Sequence, residues 1–526
     1  MNRRRFVVLG ASSAAGLAVA SRVPLFGQAP AIITSDKARP QVPFGIASGD
    51  VSDGRGVIWS RTDRPARMIV EYATSGPLSG GQRIVGPSAL EEWDFTSRIA
   101  LTGLPPGQTV RYRVTFQDLG DLDTVSAPIE GSFRTPEADD RVTRDVTLAW
   151  SADTCGQGWG IDVSRGGLVG YETLRRIQPD LFLHCGDVVY ADDPVKPEVM
   201  LDDGSVWRNL VTPDKSKVAE TLDEFRGQYR YNLLDESLRR FNGEVPTLAI
   251  WDDHEVRNNF YETRSLQDDA RYAEKRMPVL IARARRAFLD YQAMSIDPDD
   301  PERIYRACRY GPLVDVIACD MRSYRGANSA NRQARPGRDT TLLGERQLAW
   351  LKHRLATSRS TWKVVVTGLP IGLVVTDYPL TDVYEGIANG DDGPPLGREL
   401  EIADLLAYLK REAIRNVVFL TGDVHYCAAI HYDPARARFS GFDPFWEFVA
   451  GPMHAGTFGP NALDPTFGPE ARFVGIPPGM KPNRPPSEGL QFFGTFKVSA
   501  KERVATVALH DIAGRTLYRV ELPPQA

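Results

Sequence analysis

At 526 residues the chain is longer than one typical domain, and 42% apolar with 25% charged residues excludes a disordered or low-complexity polypeptide. A net charge of −5 excludes a nucleic-acid-coating protein, which needs a basic stripe. Five scattered cysteines exclude a disulfide framework; Cys185, Cys308, Cys319 and Cys427 read as small buried residues, and Cys155 is set apart below.

The first residues read as an address. Arg3-Arg4-Arg5 leads into an apolar stretch over residues 7–20 that ends in Ala18-Val19-Ala20. That is the order of a basic region, an apolar region and a small-residue cleavage site. The stretch is too short to span a bilayer, so no transmembrane anchor is expected after cleavage. Paired arginines followed by Phe6 resemble a twin-arginine export signal, which implies the twin-arginine machinery as a partner. An ordinary Arg-rich secretory signal is the alternative. Both predict an exported protein, periplasmic or extracellular, with signal and leader over residues 1–29.

Short strands follow over residues 40–136. Val57-Ile58-Trp59-Ser60-Arg61, Met68-Ile69-Val70-Glu71-Tyr72 and Val110-Arg111-Tyr112-Arg113-Val114 are separated by Gly and Pro punctuation with no helical period. This predicts a small antiparallel β-sandwich. The Leu104-Pro105-Pro106-Gly107 turn before the strand that carries Tyr112 resembles a fibronectin type III module.

Over residues 144–522 strand-like and helical runs alternate. Strands are predicted at 147–150, 181–184, 247–250, 303–308, 313–318, 363–366 and 417–420. Helices are expected near 171–177, 218–241, 280–294, 344–356 and 398–413, and a strand meander over 490–522. Apolar, doubly buried strands interleaved with helices predict a layered α/β domain with central β-sheets flanked by helices.

Polar residues recur where four of those strands end. They are Ser151-Ala152-Asp153-Thr154-Cys155, Gly186-Asp187-Val188-Val189-Tyr190, Trp251-Asp252-Asp253-His254-Glu255 and Gly422-Asp423-Val424-His425. Strand ends of open α/β sheets converge on one crevice. Carboxylates are rarely buried without a partner, so a pair of metal ions is the expected partner. Carboxylates suit Ca2+, Mg2+, Mn2+ or Fe3+, imidazole suits Zn2+ or iron, and a Tyr190 phenolate favours Fe3+. Two ions about 3.5–4 Å apart activate water and neutralise phosphate oxygens in an in-line displacement.

Gly186-Asp187-x-x-Tyr190, the Asp253-His254-Glu255 core and Gly422-x-x-His425 resemble the blocks of calcineurin-like, purple-acid-phosphatase-type metallophosphoesterases. The longer run from Trp251 to Asn259, with Asp320-x-Arg322-x-Tyr324-Arg325 and Glu447-Phe448-Val449-x-Gly451, is similar to the PhoD-like alkaline phosphatase/phosphodiesterase family over nearly the whole chain. The resemblance implies Fe3+ and Ca2+ and the hydrolysis of small phosphate mono- and diesters by activated water. It implies that Asp187 bridges, that Tyr190 and His425 hold iron, and that Asp253 and Asp423 hold the second cation. His254 would protonate the leaving oxygen without ligating metal, with Glu255 fixing its tautomer. Arg257 and Asn258 are implied as phosphate contacts.

Several readings stay open. The first-motif ligand is Asp153 or Cys155. Asp252 is a ligand or a loop carboxylate, Arg322 and Arg325 are phosphate clamps or core ion pairs, and His454 is a cleft-lining residue or scaffold. Residues 388–397 and 450–489 have the composition of loops over a cleft. A phospholipase-type diesterase and a non-catalytic secreted surface-binding protein are the alternative functions.

Overall fold

The computed structural model describes residues 38–525; the export-signal expectation lies outside them. From Arg39 onward the chain is one compact unit. Its centre is a pair of sheets. One has nine strands in the order Thr516–Leu522, Ala505–Asp511, Phe492–Val498, Val146–Ser151, Leu181–Cys185, Thr247–Ile250, Ile46–Ser52, Arg55–Arg61 and Thr96–Thr102. The other has seven, in the order Arg306–Tyr310, Val314–Ala318, Trp362–Val366, Val417–Thr421, Phe445–Val449, Ala428–Tyr432 and Pro469–Val474. The middle of each sheet is parallel, as Val146–Ser151, Leu181–Cys185 and Thr247–Ile250 are in the first. Val314–Ala318 through Val417–Thr421 to Phe445–Val449 are so in the second.

The two sheets meet face to face. Trp362 packs edge-on against Phe496 at 5.8 Å between ring centroids, and the Cys185 thiol lies 3.9 Å from the Leu420 carbonyl. Strands buried on both faces must be apolar throughout, which is why Leu-Phe-Leu and Val-Val-Val runs sit here. Helices Val169–Ile177, Leu222–Asn232, Glu236–Glu244, Met277–Tyr291, Glu345–Thr357 and Glu399–Arg411 complete the layered α/β architecture expected from the sequence. Among the described residues no helix is long and apolar enough to cross a membrane. All five cysteines are free and buried.

Two expectations change in detail. The helix predicted over 218–241 breaks at Asp235, whose side chain accepts the Leu238 N–H at 3.0 Å and caps a second helix. The first of the pair is opened by a capping box between Thr221 and Glu224. The N-terminal strands do form two layers, but they share one of them with the rest of the chain. Gln82–Ala89, Ala66–Ala73, Thr109–Asp118 and Ile129–Arg134 make a four-stranded antiparallel sheet, while Ile46–Ser52, Arg55–Arg61 and Thr96–Thr102 extend the nine-stranded one. The join is Gly49 beside Thr247, where a Cβ would lie 2.6 Å from the Thr247 carbonyl, so only glycine lets the two backbones pair. Pairing there covers an edge that would otherwise present unsatisfied N–H and C=O groups.

Candidate metal centre

Three parallel strands of the nine-stranded sheet and Val417–Thr421 of the seven-stranded sheet deliver their C-terminal ends to one cleft. At three of these ends residues other than glycine turn the chain through the left-handed region. Asp153, Asp187, Asp423 and His425 have φ of 66°, 52°, 66° and 62°. Left-handed backbone at four non-glycine residues is costly, and such strain concentrates where surrounding structure fixes a functional geometry.

These turns bring together three groups of side chains that could hold a metal ion. They are Asp153 with Asp187 and His425, Asp187 with Asp253 and His254, and Asp252 with Asp253 and Asp423. Within each group the ligand atoms lie within 4.8 Å of one another. Asp187 belongs to the first two groups and Asp253 to the last two, so the three form a chain. Tyr190 completes the first group, its hydroxyl 3.0 Å from His425 Nε2 and 3.3 Å from Asp153 Oδ1. His425 Nδ1 lies 2.5 Å from the Gly456 carbonyl, which can only accept. The proton therefore sits on Nδ1 and leaves the Nε2 lone pair facing Asp153 and Tyr190. Burial pulls the His425 pKa down to about 4, so the ring is neutral, the form a metal needs.

The carboxylates fit cations. Burial, followed by repulsion from neighbouring acids, pushes Asp153, Asp187 and Asp423 above the usual carboxylate range. One Asp153 oxygen and one Asp252 oxygen are buried with no hydrogen-bond donor. A set of buried acids that repel one another, two with orphaned oxygens, is accommodated by positive charge. The donor set of carboxylates, one phenol and one imidazole suits hard cations, including Fe3+ and Ca2+. Asp253 differs: burial raises its pKa, but Arg322 and His254 outweigh it and hold it low.

His254 is held by Asp192, a residue the sequence reading passed over. Its Nδ1 lies 2.7 Å from Asp192 Oδ1, and the other Asp192 oxygen accepts the Asn258 N–H at 2.9 Å. Burial lowers the His254 pKa, yet Asp192 and Asp253 bring it up to about 9. The ring also stacks on Tyr190 at 4.2 Å between centroids. Glu255, expected to fix this tautomer, does another job. It accepts the backbone N–H groups of Val188, Asp252 and Asp187 at 2.6, 2.7 and 3.2 Å, and so shapes the Asp187 turn from below.

The remaining candidates divide. Asn258 lines a cleft of about 390 Å3 together with Asp187, Asp253, His254, Asp423 and His425. Arg257 turns aside, donating to the Asn258 carbonyl at 3.0 Å and to Asp269 at 3.3 Å. His454 lies behind the first turn, with Nε2 3.0 Å from the Gly160 carbonyl and its own carbonyl accepting the Cys155 N–H at 2.6 Å. The Cys155 thiol joins none of the three ligand groups, and burial pushes its pKa up to about 12. Arg322 is wholly buried and bonded to Asp252 and Glu385, with Asp423 at 3.2 Å and Asp253 at 3.7 Å. Arg325 is equally buried against Glu385 at 2.9 Å. Both are core ion pairs, unavailable to a phosphate. Glu385, also missed from sequence, sits in a segment between strands with no motif to mark it.

Of the two predicted loops, 450–489 reaches the cleft through Phe458 and its neighbours to Asn461, and 388–397 does not. Val374, Val375, Thr376 and Tyr378 form another wall of the cleft.

Residues 148–509 match the family model of PhoD-like phosphatases, and residues 27–137 match the model of that family's N-terminal domain. Alkaline phosphatase D of Bacillus subtilis (strain 168) is 26% identical over 464 residues, covering 82% of this chain and 73% of that protein. The solved structure of PhoD is similar with a TM-score of 0.66 at 19% identity, covering 92% of this chain and 94% of that one. Purple acid phosphatase PPD1 from yellow lupin (Lupinus luteus) seeds is similar at 0.56 and 11% identity, covering 92% and 74%. With a family model spanning most of its length and a fold shared with PhoD and a purple acid phosphatase, the chain belongs to the PhoD-like phosphatase family and is a phosphoester hydrolase.

Proposed function

We propose that this phosphoesterase is exported and metal-dependent, and that it holds Fe3+ between Asp153, Asp187, Tyr190 and His425. Ca2+ would be held by Asp187, Asp253 and Asp423, with Mn2+, Mg2+ or Zn2+ as substitutes. The observation that carries this reading is the chain of three ligand groups linked through Asp187 and Asp253, with a donorless Asp153 oxygen inside it. Bound cations supply the charge that acidifies a water and neutralises phosphate oxygens.

The protein's own groups do the rest. Asp187 is positioned to serve two neighbouring groups at once, and its Oδ1 is fixed by the His254 N–H at 3.0 Å. His254 carries a proton into the cleft at neutral pH and donates it to the departing alcohol oxygen. Asp192 keeps that ring in the protonated form and at a fixed angle. Asn258 on the cleft wall orients the phosphate. Export rests on Arg3-Arg4-Arg5-Phe6 and the small residues at 18–20.

Turnover of a chromogenic phosphomonoester and diester, before and after chelation and with Fe3+ and Ca2+ restored, tests the reading alongside metal analysis of the exported protein. Chelation is expected to abolish turnover of both esters. Full activity after metal removal, or in Asp187→Asn, would overturn it. Export is tested separately by replacing Arg3, Arg4 and Arg5 with Lys, which is expected to retain the protein inside the cell.

A further inference from the structure

The cleft contains a contrast that the proposed reaction does not require. Among the described residues that line it there is no Lys or Arg. The nearby guanidinium groups are spent elsewhere. Arg322 and Arg325 are locked on buried carboxylates, Arg257 faces Asp269, and Arg264 faces Asp377 at 2.7 Å. Beyond the candidate ligands and Glu385, which is paired with Arg322 and Arg325, the walls are uncharged polar, aromatic and apolar groups, among them Gln157, Asn258, Asn461, Val374, Tyr378 and Phe458. Tyr378 is 82% exposed, so a large aromatic face stands open to solvent at the rim.

Phe458 is fixed close to the chemistry. Its ring meets His425 edge-on at 5.4 Å between centroids, and its N–H donates to the His425 carbonyl at 3.3 Å. An organic group beside a phosphate bound at His425 therefore meets an aromatic ring. Charge elsewhere on the substrate meets no free counter-charge, because Glu385 on the same wall already holds Arg322 and Arg325.

Resting on the phosphoesterase reading above, we infer that Tyr378 and Phe458 select the substrate's organic group, and that the cleft takes phosphodiesters whose only charge is the reacting phosphate and whose substituent is aromatic or apolar. Polyphosphates and multiply phosphorylated esters are disfavoured. Bound cations would compensate one phosphate; a second anionic group would be desolvated against neutral amides. Aromatic faces reward an apolar substituent by the area they remove from water.

Two substrate pairs test this on the metal-loaded enzyme. A nucleoside p-nitrophenyl phosphodiester is compared with the same compound carrying one more phosphate on its sugar, and the added charge is expected to lower kcat/KM by about tenfold. Asn461→Lys is expected to narrow that gap. Bis(p-nitrophenyl) phosphate is compared with methyl p-nitrophenyl phosphate, which share a leaving group. The wild type is expected to favour the diaryl ester by about tenfold through KM, with Tyr378→Ala and Phe458→Ala each reducing the preference. Because Tyr378 is solvent-exposed, its substitution leaves the fold intact. Calorimetric binding of phenylphosphonate against methylphosphonate, which have no bond to hydrolyse, gives a readout apart from turnover and should rank the same way. Equal kcat/KM with and without the added phosphate, or an unchanged aryl preference in both variants, overturns the inference while leaving the phosphoesterase reading standing. Failure to turn over any of the four esters defeats both.

Discussion

Asp192 Oδ1 lies 2.7 Å from Nδ1 of His254, and the second Asp192 oxygen takes the Asn258 N–H at 2.9 Å, so one carboxylate aligns both the histidine and the cleft wall. Asp192 touches no substrate in this arrangement; it acts through the histidine. Asp192→Asn keeps the shape and removes the charge. For esters with poor leaving groups, such as alkyl phosphates, kcat is expected to fall by about 100-fold or more, because their oxygen needs a proton to depart. For p-nitrophenyl esters, whose phenolate leaves unaided, the loss is expected to stay within about tenfold. A uniform loss across leaving groups would mean that Asp192 is merely structural.

The first motif offered Asp153 and Cys155, and their surroundings separate them. Asp153 shares a ligand group with Asp187 and His425, whereas the Cys155 thiol is buried apart from it with a pKa pushed up to about 12. On the proposed iron site, Asp153→Asn is expected to lower the iron found per chain to well under half, measured by elemental analysis, with activity falling in parallel. Cys155→Ser is expected to retain iron. Iron lost from the cysteine variant and kept by the asparagine variant would reverse the assignment.

The cluster of strand-end acids with His425 was legible because covalent neighbours carry it. Asp187, Asp253, Asp423 and His425 each follow an apolar run, and a charge placed there has few structural reasons to exist. Asp192 and Glu385 were not legible for the opposite reason. Each is an ordinary acid in an irregular segment, and only the folded path brings Asp192 to His254, or Glu385 to Arg322 and Arg325. Arg257 shows the same limit in reverse. It stands beside the motif in sequence, but the turn after Asp253 aims its side chain at Asp269. The sharing of a sheet by the N-terminal strands was equally hidden, since the pairing of Gly49 with Thr247 links segments far apart in the chain.

Glu447 gives a pH dependence of stability away from the metal centre. It is fully buried, accepting the Tyr432 hydroxyl at 2.6 Å and the Ile371 N–H at 2.8 Å. Burial pushes its pKa up to about 7 despite those bonds. A carboxyl raised in the folded state binds its proton more tightly there than in the unfolded chain. Its contribution is therefore greatest below the unfolded pKa, is lost as pH rises towards about 7, and is flat beyond. Glu447→Gln cannot titrate. Relative to wild type, the variant is expected to gain stability between pH 5 and pH 8, by up to about 3 kcal/mol. Denaturant unfolding at both pH values checks this, and a difference that does not change with pH would show that Glu447 stays ionised.

Arg322 is the counter-charge on which the far side of the site depends. It is wholly buried, it bonds Asp252 and Glu385, and it approaches Asp423 and Asp253. Removing one partner of a buried ion pair leaves the other charge uncompensated, at a cost of about 3–5 kcal/mol. Arg322→Met is therefore expected to lower Tm by several degrees, and metal supplied in excess should recover part of that loss by taking over the charge on Asp253 and Asp423. Arg322→Lys keeps the charge but has a single donor head that cannot reach all these acids at once. Its Tm should fall between those of the wild type and the Met variant. Thermal unfolding of the three proteins, with and without added Ca2+, measures both effects. If the Met variant matched wild type without metal, the acids around Arg322 would have to be protonated already, and the charge argument for the site would fail.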